Sequence, residues 1–148
     1  MKRTLIVGAT LLLGVSAVWA QQDAAKETQT YMKGNGRNAG AISAMVKGEK
    51  PYDQATVDAA LAQFEETAKK LPTLFPASMK GIKLEGDYSA SPKIWEDKAG
   101  FDAKIASFAK VVGEAKGKIK DLDTLKATLP VIGKECGGCH ETFRVKNS

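Results

Sequence analysis

A chain of 148 residues with 22 Lys and Arg against 17 Asp and Glu suffices for one compact domain and excludes a multidomain assembly. Its 21 alanines and 19 lysines against 10 aromatic side chains favour helix over strand and argue against an all-β fold. Two cysteines and one histidine exclude a four-thiolate zinc or iron–sulfur cage and any site that takes two imidazoles from one chain.

Lys2 and Arg3 precede an apolar stretch from Leu5 to Val18, and Val18-Trp19-Ala20 places small residues three and one before a cut. Residues 1–20 are therefore expected to be a cleaved signal peptide rather than a retained anchor, and residues 21–148 the functional domain. The apolar run is shorter than the roughly 20 residues a bilayer-spanning helix needs, so the mature chain is expected to have no membrane span. Removing Lys2 and Arg3 leaves 20 basic against 17 acidic residues, with no dense basic stripe for a nucleic acid to follow.

Apolar spacing predicts four helices. The first runs from about Asp23 to Val46, with Ala25, Thr28, Met32, Gly36, Ala39, Ser43 and Val46 along a stripe of small side chains. The second follows Pro51-Tyr52-Asp53, turns Val57, Ala60, Leu61, Phe64, Ala68 and Leu71 inward, and stops at Pro72. Pro76, Gly81 and Gly86 punctuate a loop of about twenty residues that reaches Ser91. Ser91-Pro92 then signals a third helix that carries Ile94, Phe101, Ile105, Phe108, Val112 and Ile119 and ends near Lys120. Asp121 or Asp123 caps the fourth, with Leu125, Leu129, Ile132, Cys136, His140 and Phe143 on one face and a kink possible at Pro130. The pattern describes an all-α, antiparallel four-helix bundle, and also suits a three-helix domain with a long first arm.

The chemistry sits in Cys136-Gly137-Gly138-Cys139-His140, the C-x-x-C-H signature of covalent haem attachment. Two thiols at this spacing add to the two vinyl groups on one porphyrin edge, and the next imidazole reaches the iron. On a helix Cys136 and His140 share a face with Cys139 beside them. Two other readings compete. A thioredoxin-type dithiol wants a βαβ context that is absent, and a zinc site lacks further Cys or His, although an exported chain could hold a structural disulfide. Gly34-Asn35-Gly36-Arg37-Asn38 is not a phosphate loop, since no strand precedes it and no Gly-Lys-Ser/Thr follows.

A leader, a four-helix pattern and a C-x-x-C-H motif near the C-terminus followed by Phe143-Arg144 resemble the class II cytochromes c, the cytochrome c′ family. The resemblance extends over Gln21 to Ser148, including Val46-Lys47-Gly48-Glu49-Lys50-Pro51-Tyr52-Asp53 and Ser91-Pro92-Lys93-Ile94-Trp95. Within the family the chain is most similar to the low-spin c-556 branch, where Thr28-Gln29-Thr30-Tyr31-Met32-Lys33 would carry the sixth iron ligand. The resemblance implies one covalent haem c, held by Cys136 and Cys139, with His140 as proximal iron ligand.

Three methionines outside the leader, Met32, Met45 and Met79, are candidates for the distal position, and a helix separates Met32 from Met45 by about 20 Å. Met32 is preferred because Thr28 and Gly36, one turn to either side, would let a porphyrin approach; a core gap-filler is the plainer role for such a residue. Cytochromes c′ generally carry a basic residue where this chain has Thr28, so the likeness to c-556 decides for Met32. Thr28, Gly36, Phe143 and Arg144 are the expected pocket residues. Arg144, four past His140, is expected one turn along the same face, either shielding the imidazole or as a solvated charge near a helix end.

The expected function is a periplasmic electron carrier with a His/Met-ligated haem. The alternative is a five-coordinate, cytochrome c′-like protein that binds nitric oxide or carbon monoxide. No enzyme activity is implied. Redox proteins are the expected partners, with Lys134 and Lys146 available to steer an acidic one, and the chain is expected to be a monomer or homodimer.

Overall fold

The structure is a computed structural model that describes residues 12–147, with side chains from residue 22 onward. The expected signal peptide lies mainly outside the described residues. Helix α1 spans Leu12–Val46. It ends where Gly48, at φ +77, lets Glu49 N–H reach Ala44 O at 2.9 Å and Gly48 N–H reach Met45 O at 3.0 Å, which satisfies the last carbonyls of the helix.

Asp53 opens α2, Gln54–Lys70, by accepting from Thr56 N–H at 2.8 Å. Its inward face is the predicted one, with Thr67 added. Thr67 is buried without cost because its hydroxyl donates to Asn35 Oδ1 at 2.8 Å and accepts from Gln63 at 3.2 Å.

The connection after α2 contains more structure than its punctuation predicts. It holds 3-10 turns at Leu71–Thr73 and Ala77–Met79 and a strand β1, Tyr88–Ala90. The predicted third helix is divided into an isolated turn, Lys93–Glu96, and α3, Lys98–Lys118. Asp97 makes the break: its backbone leaves the helical region at φ −123 and ψ 63, and its carboxylate accepts from Gly100 N–H at 2.9 Å. A β-carbon on Gly100 would meet that carboxylate, so a larger residue there would displace the cap from this position.

Asp121 and Thr124 form a reciprocal capping box at the start of α4, Leu122–Phe143, which continues through the exposed Pro130. A second strand, β2, Arg144–Lys146, pairs antiparallel with β1 in the register Tyr88 to Lys146, Ser89 to Val145 and Ala90 to Arg144.

Short connections fold α1 against α2 and α3 against α4, and α2 packs on α3 to complete a four-helix bundle. Its main core contains Ile42, Leu61, Phe64, Val112, Ile119, Leu125 and Ile132, each at most 1% exposed. A second cluster lies at the other end: Leu71, Leu74, Ile94, Phe101, Ile105 and Phe143. Edge-on ring contacts join Phe101 to Phe75 at 5.4 Å and to Phe143 at 5.1 Å.

Candidate functional site

The C-x-x-C-H motif occupies the last turns of α4, where a helix places residues three and four apart on one side. Cys136 packs against the main core and Cys139 against the second cluster, so the motif straddles the two. Both thiols are free and half-buried. Burial pushes both thiols up, and it holds His140 below its usual range, assisted by the positive charge of Arg144. A neutral imidazole keeps a ring nitrogen open as an iron ligand.

Met32 is half-buried on the second cluster, together with Tyr31, Phe75, Trp95 and Cys139. The other two candidates lie elsewhere. Met45 is 3% exposed in the main core, and Met79 is 1% exposed in its 3-10 turn. Trp95 is fixed by its indole N–H, which donates to Phe75 O at 3.1 Å.

Thr28 is buried, and its hydroxyl lies 2.8 Å from Ala24 O and 3.1 Å from Leu74 O, which ties α1 to the long connection. The inward stripe of α1 is rotated from the predicted one. It follows Thr28, Tyr31, Asn35, Asn38, Ile42 and Met45, and it leaves Gly36 exposed with no atom within 4 Å of where a β-carbon would stand. The close approach is at Gly34 instead, where a β-carbon would lie 3.1 Å from the Gln63 amide on α2. The burial of Ile42 and Met45 sets this phase, which a stripe of small residues could not fix.

Phe143 is buried in the second cluster, and its carbonyl accepts from Ser91 N–H at 3.1 Å. Arg144 does not continue the helix. It begins β2 with extended backbone, and its guanidinium stands 4.0 Å above the Tyr88 ring. Arg144, one turn past His140, leaves the helix because β1 draws the chain out after Phe143, yet its charge still bears on the imidazole. Lys104 of α3 escaped the sequence reading; its ammonium lies 3.3 Å from where a Gly138 β-carbon would stand. Its place three residues after Phe101 was the available signal.

Among the described residues no group of three or more His, Cys, Asp and Glu side chains could hold a bare metal ion. Two half-buried thiols and an imidazole beside an aromatic-lined apolar cluster fit a porphyrin instead, since it supplies its own four nitrogen ligands and a large apolar body. Bundle and donor set together define a four-helix-bundle c-type cytochrome.

A family model described as cytochrome C′ matches residues 23–144. Cytochrome c-556 of Rhodopseudomonas palustris is 62% identical over 147 residues, 99% of each chain. The solved cytochrome c′ from Rhodopseudomonas palustris is 41% identical with a TM-score of 0.77, covering 85% of this chain and 98% of its own. A nitric oxide complex of a mutant cytochrome c prime from Alcaligenes xylosoxidans is 28% identical with a TM-score of 0.70, over 84% of this chain and 95% of that one. The chain belongs to the cytochrome c′ family, and its cofactor is haem c. No helix among the described residues is long and apolar enough to cross a membrane.

Proposed function

We propose that this chain is an exported, periplasmic monohaem electron carrier. In it Cys136 and Cys139 would hold the porphyrin by thioether links to its vinyl groups, and His140 and Met32 would be the protein's two ligands to the iron. The carrying observation is that Met32 alone of the three candidate methionines lies on the cluster that receives Cys139. When bound, haem c supplies a one-electron Fe(III)/Fe(II) couple, whose potential a thioether ligand raises.

The chain's own residues hold and shield. Phe75, Trp95, Phe101 and Phe143 keep water from the cluster, and Thr28 closes its α1 side through Leu74. Two long helices carry the opposing ligands on a packed bundle, so little rearrangement accompanies electron transfer. Arg144 keeps a positive charge beside His140 and favours the neutral ring that binds iron. Export is supported by a family match that begins at residue 23.

The rival is a five-coordinate haem protein that binds nitric oxide or carbon monoxide, with Met32 as a pocket wall. The family relative seen as a nitric oxide complex favours it, as does the half-exposure of Met32. Optical spectra decide. The proposal expects a sharp, split reduced band and a weak long-wavelength ferric band from methionine sulfur. A broad high-spin Soret band that shifts at once with carbon monoxide would overturn it.

A further inference from the structure

One short segment of the long connection is bound from both ends of the chain. Leu84, Glu85, Gly86 and Asp87 offer four successive carbonyls. Asn147 Nδ2 donates to Leu84 O at 3.1 Å and to Gly86 O at 2.6 Å, and its backbone N–H donates to Asp87 O at 2.7 Å. The carbonyl between them, Glu85 O, accepts instead from Gln29 Nε2 of α1 at 2.7 Å. The side-chain oxygen of Asn147 accepts from Ser89 Oγ at 2.6 Å, and Ser89 Oγ accepts from Leu84 N–H at 2.8 Å. The Asn147 amide is thus fully engaged, with both N–H groups and its oxygen partnered. Gly86, at φ +93, gives the segment the reversal that presents these carbonyls to both sides.

One donor lies on the helix that carries Met32, and the other follows the helix that carries His140. Gln29 lies three residues before Met32, on the same side of α1. Asn147 follows β2, which extends directly from the helix that carries Cys136, Cys139 and His140. α1 and α4 meet each other more sparsely than do the other three adjacent pairs.

The geometry points to Leu84–Asp87 as a clasp that ties the helix carrying Met32 to the helix carrying His140, with Gln29 and Asn147 as positioning residues that keep Met32 in the sixth position. The inference rests on the ligand set proposed above. A tethered ligand competes with an external one through its effective concentration, which the clasp keeps high by fixing α1 against the tail of α4. Opening the clasp enlarges the fraction of molecules with Met32 withdrawn, and capture of an outside ligand rises in proportion to that fraction.

The test uses the haem-loaded protein and carbon monoxide added to its reduced form, with amide hydrogen exchange across residues 82–91 as a readout independent of the iron. Asn147→Ala should retain the ferric sulfur band, exchange faster over residues 82–91 and capture carbon monoxide about tenfold faster than wild type. Gln29→Ala should move both readouts the same way by less. Glu65→Gln removes exposed ion pairs to Lys69 and Lys116, which share no bond with the clasp, and should leave capture unchanged. Wild-type capture rates in Asn147→Ala and Gln29→Ala, beside fast capture in Met32→Ala, would overturn the clasp and leave the ligand set intact. Equal acceleration by Glu65→Gln would also overturn it, reducing the effect to general destabilisation. A Met32→Ala spectrum identical to wild type would overturn the ligand set and the clasp together.

Discussion

The two apolar clusters of this bundle are built differently. The main core draws Ile42, Leu61, Val112, Leu125 and Ile132 from all four helices, and its buried members are sealed mainly by helix packing. The second cluster is aromatic and drawn largely from the long connection and the helix ends, with a rim of half-buried side chains: Tyr31, Met32, Phe75, Trp95 and Cys139. The first is a finished core that supports folding. The second meets the haem-binding motif, with Cys139 of α4 on its rim.

The sharpest way to break this contrast is to remove both thiols. Cys136→Ser with Cys139→Ser should abolish covalent haem, read as loss of staining in a denaturing gel, while helix content persists because none of the buried residues of the main core is changed. Phe64→Ala should have the next largest effect, costing about 3–5 kcal/mol in denaturant unfolding, since it opens a cavity in the sealed core. Phe75→Ala, on the half-buried rim, should cost the haem-free chain less, and the two midpoints measured side by side sharpen the comparison. Thr28→Val leaves the Leu74 carbonyl without its side-chain donor and should cost about 1–3 kcal/mol. Its effect should be greater in carbon monoxide capture than that of the Phe64 variant.

The smallest effect is acid sensitivity. Hydrogen bonds from Lys116 and Lys69 lower Glu65 from 4.5 to about 2, and bonds from Thr56 and Thr124 hold Asp53 and Asp121 below the usual carboxylate range. Carboxyls depressed in the folded state contribute stability above their unfolded values and lose it as pH falls through the folded ones. The melting temperature should therefore decline between about pH 4.5 and about pH 2, and Glu65→Gln should flatten the slope.

What could be read from sequence follows the same division. Each helix declared itself through residues such as Val57, Leu61 and Phe64, whose burial depends on local periodicity. The motif was legible because both thiols and the imidazole fall within five consecutive positions. The β1–β2 pair was not, since strands of three residues show no alternation and Tyr88 meets Lys146 only through tertiary folding. The departure of Arg144 from the helix was hidden for that reason. The break at Asp97 was hidden because a single cap interrupts an otherwise continuous apolar stripe from Ile94 to Phe101. The tilt of α1 that exposes Gly36 depended on which neighbours Ile42 and Met45 find, information that lies in the other helices.

The central claim is that the second cluster holds the cofactor between His140 and Met32, and one substitution made at three places tests it. Met32→Leu, Met45→Leu and Met79→Leu change side-chain volume little, so all three should fold and take up haem. The ferric sulfur band should disappear in Met32→Leu alone, with carbon monoxide then binding freely to the reduced protein. A sulfur band that survives Met32→Leu, or that vanishes with Met45→Leu or Met79→Leu, would contradict the account.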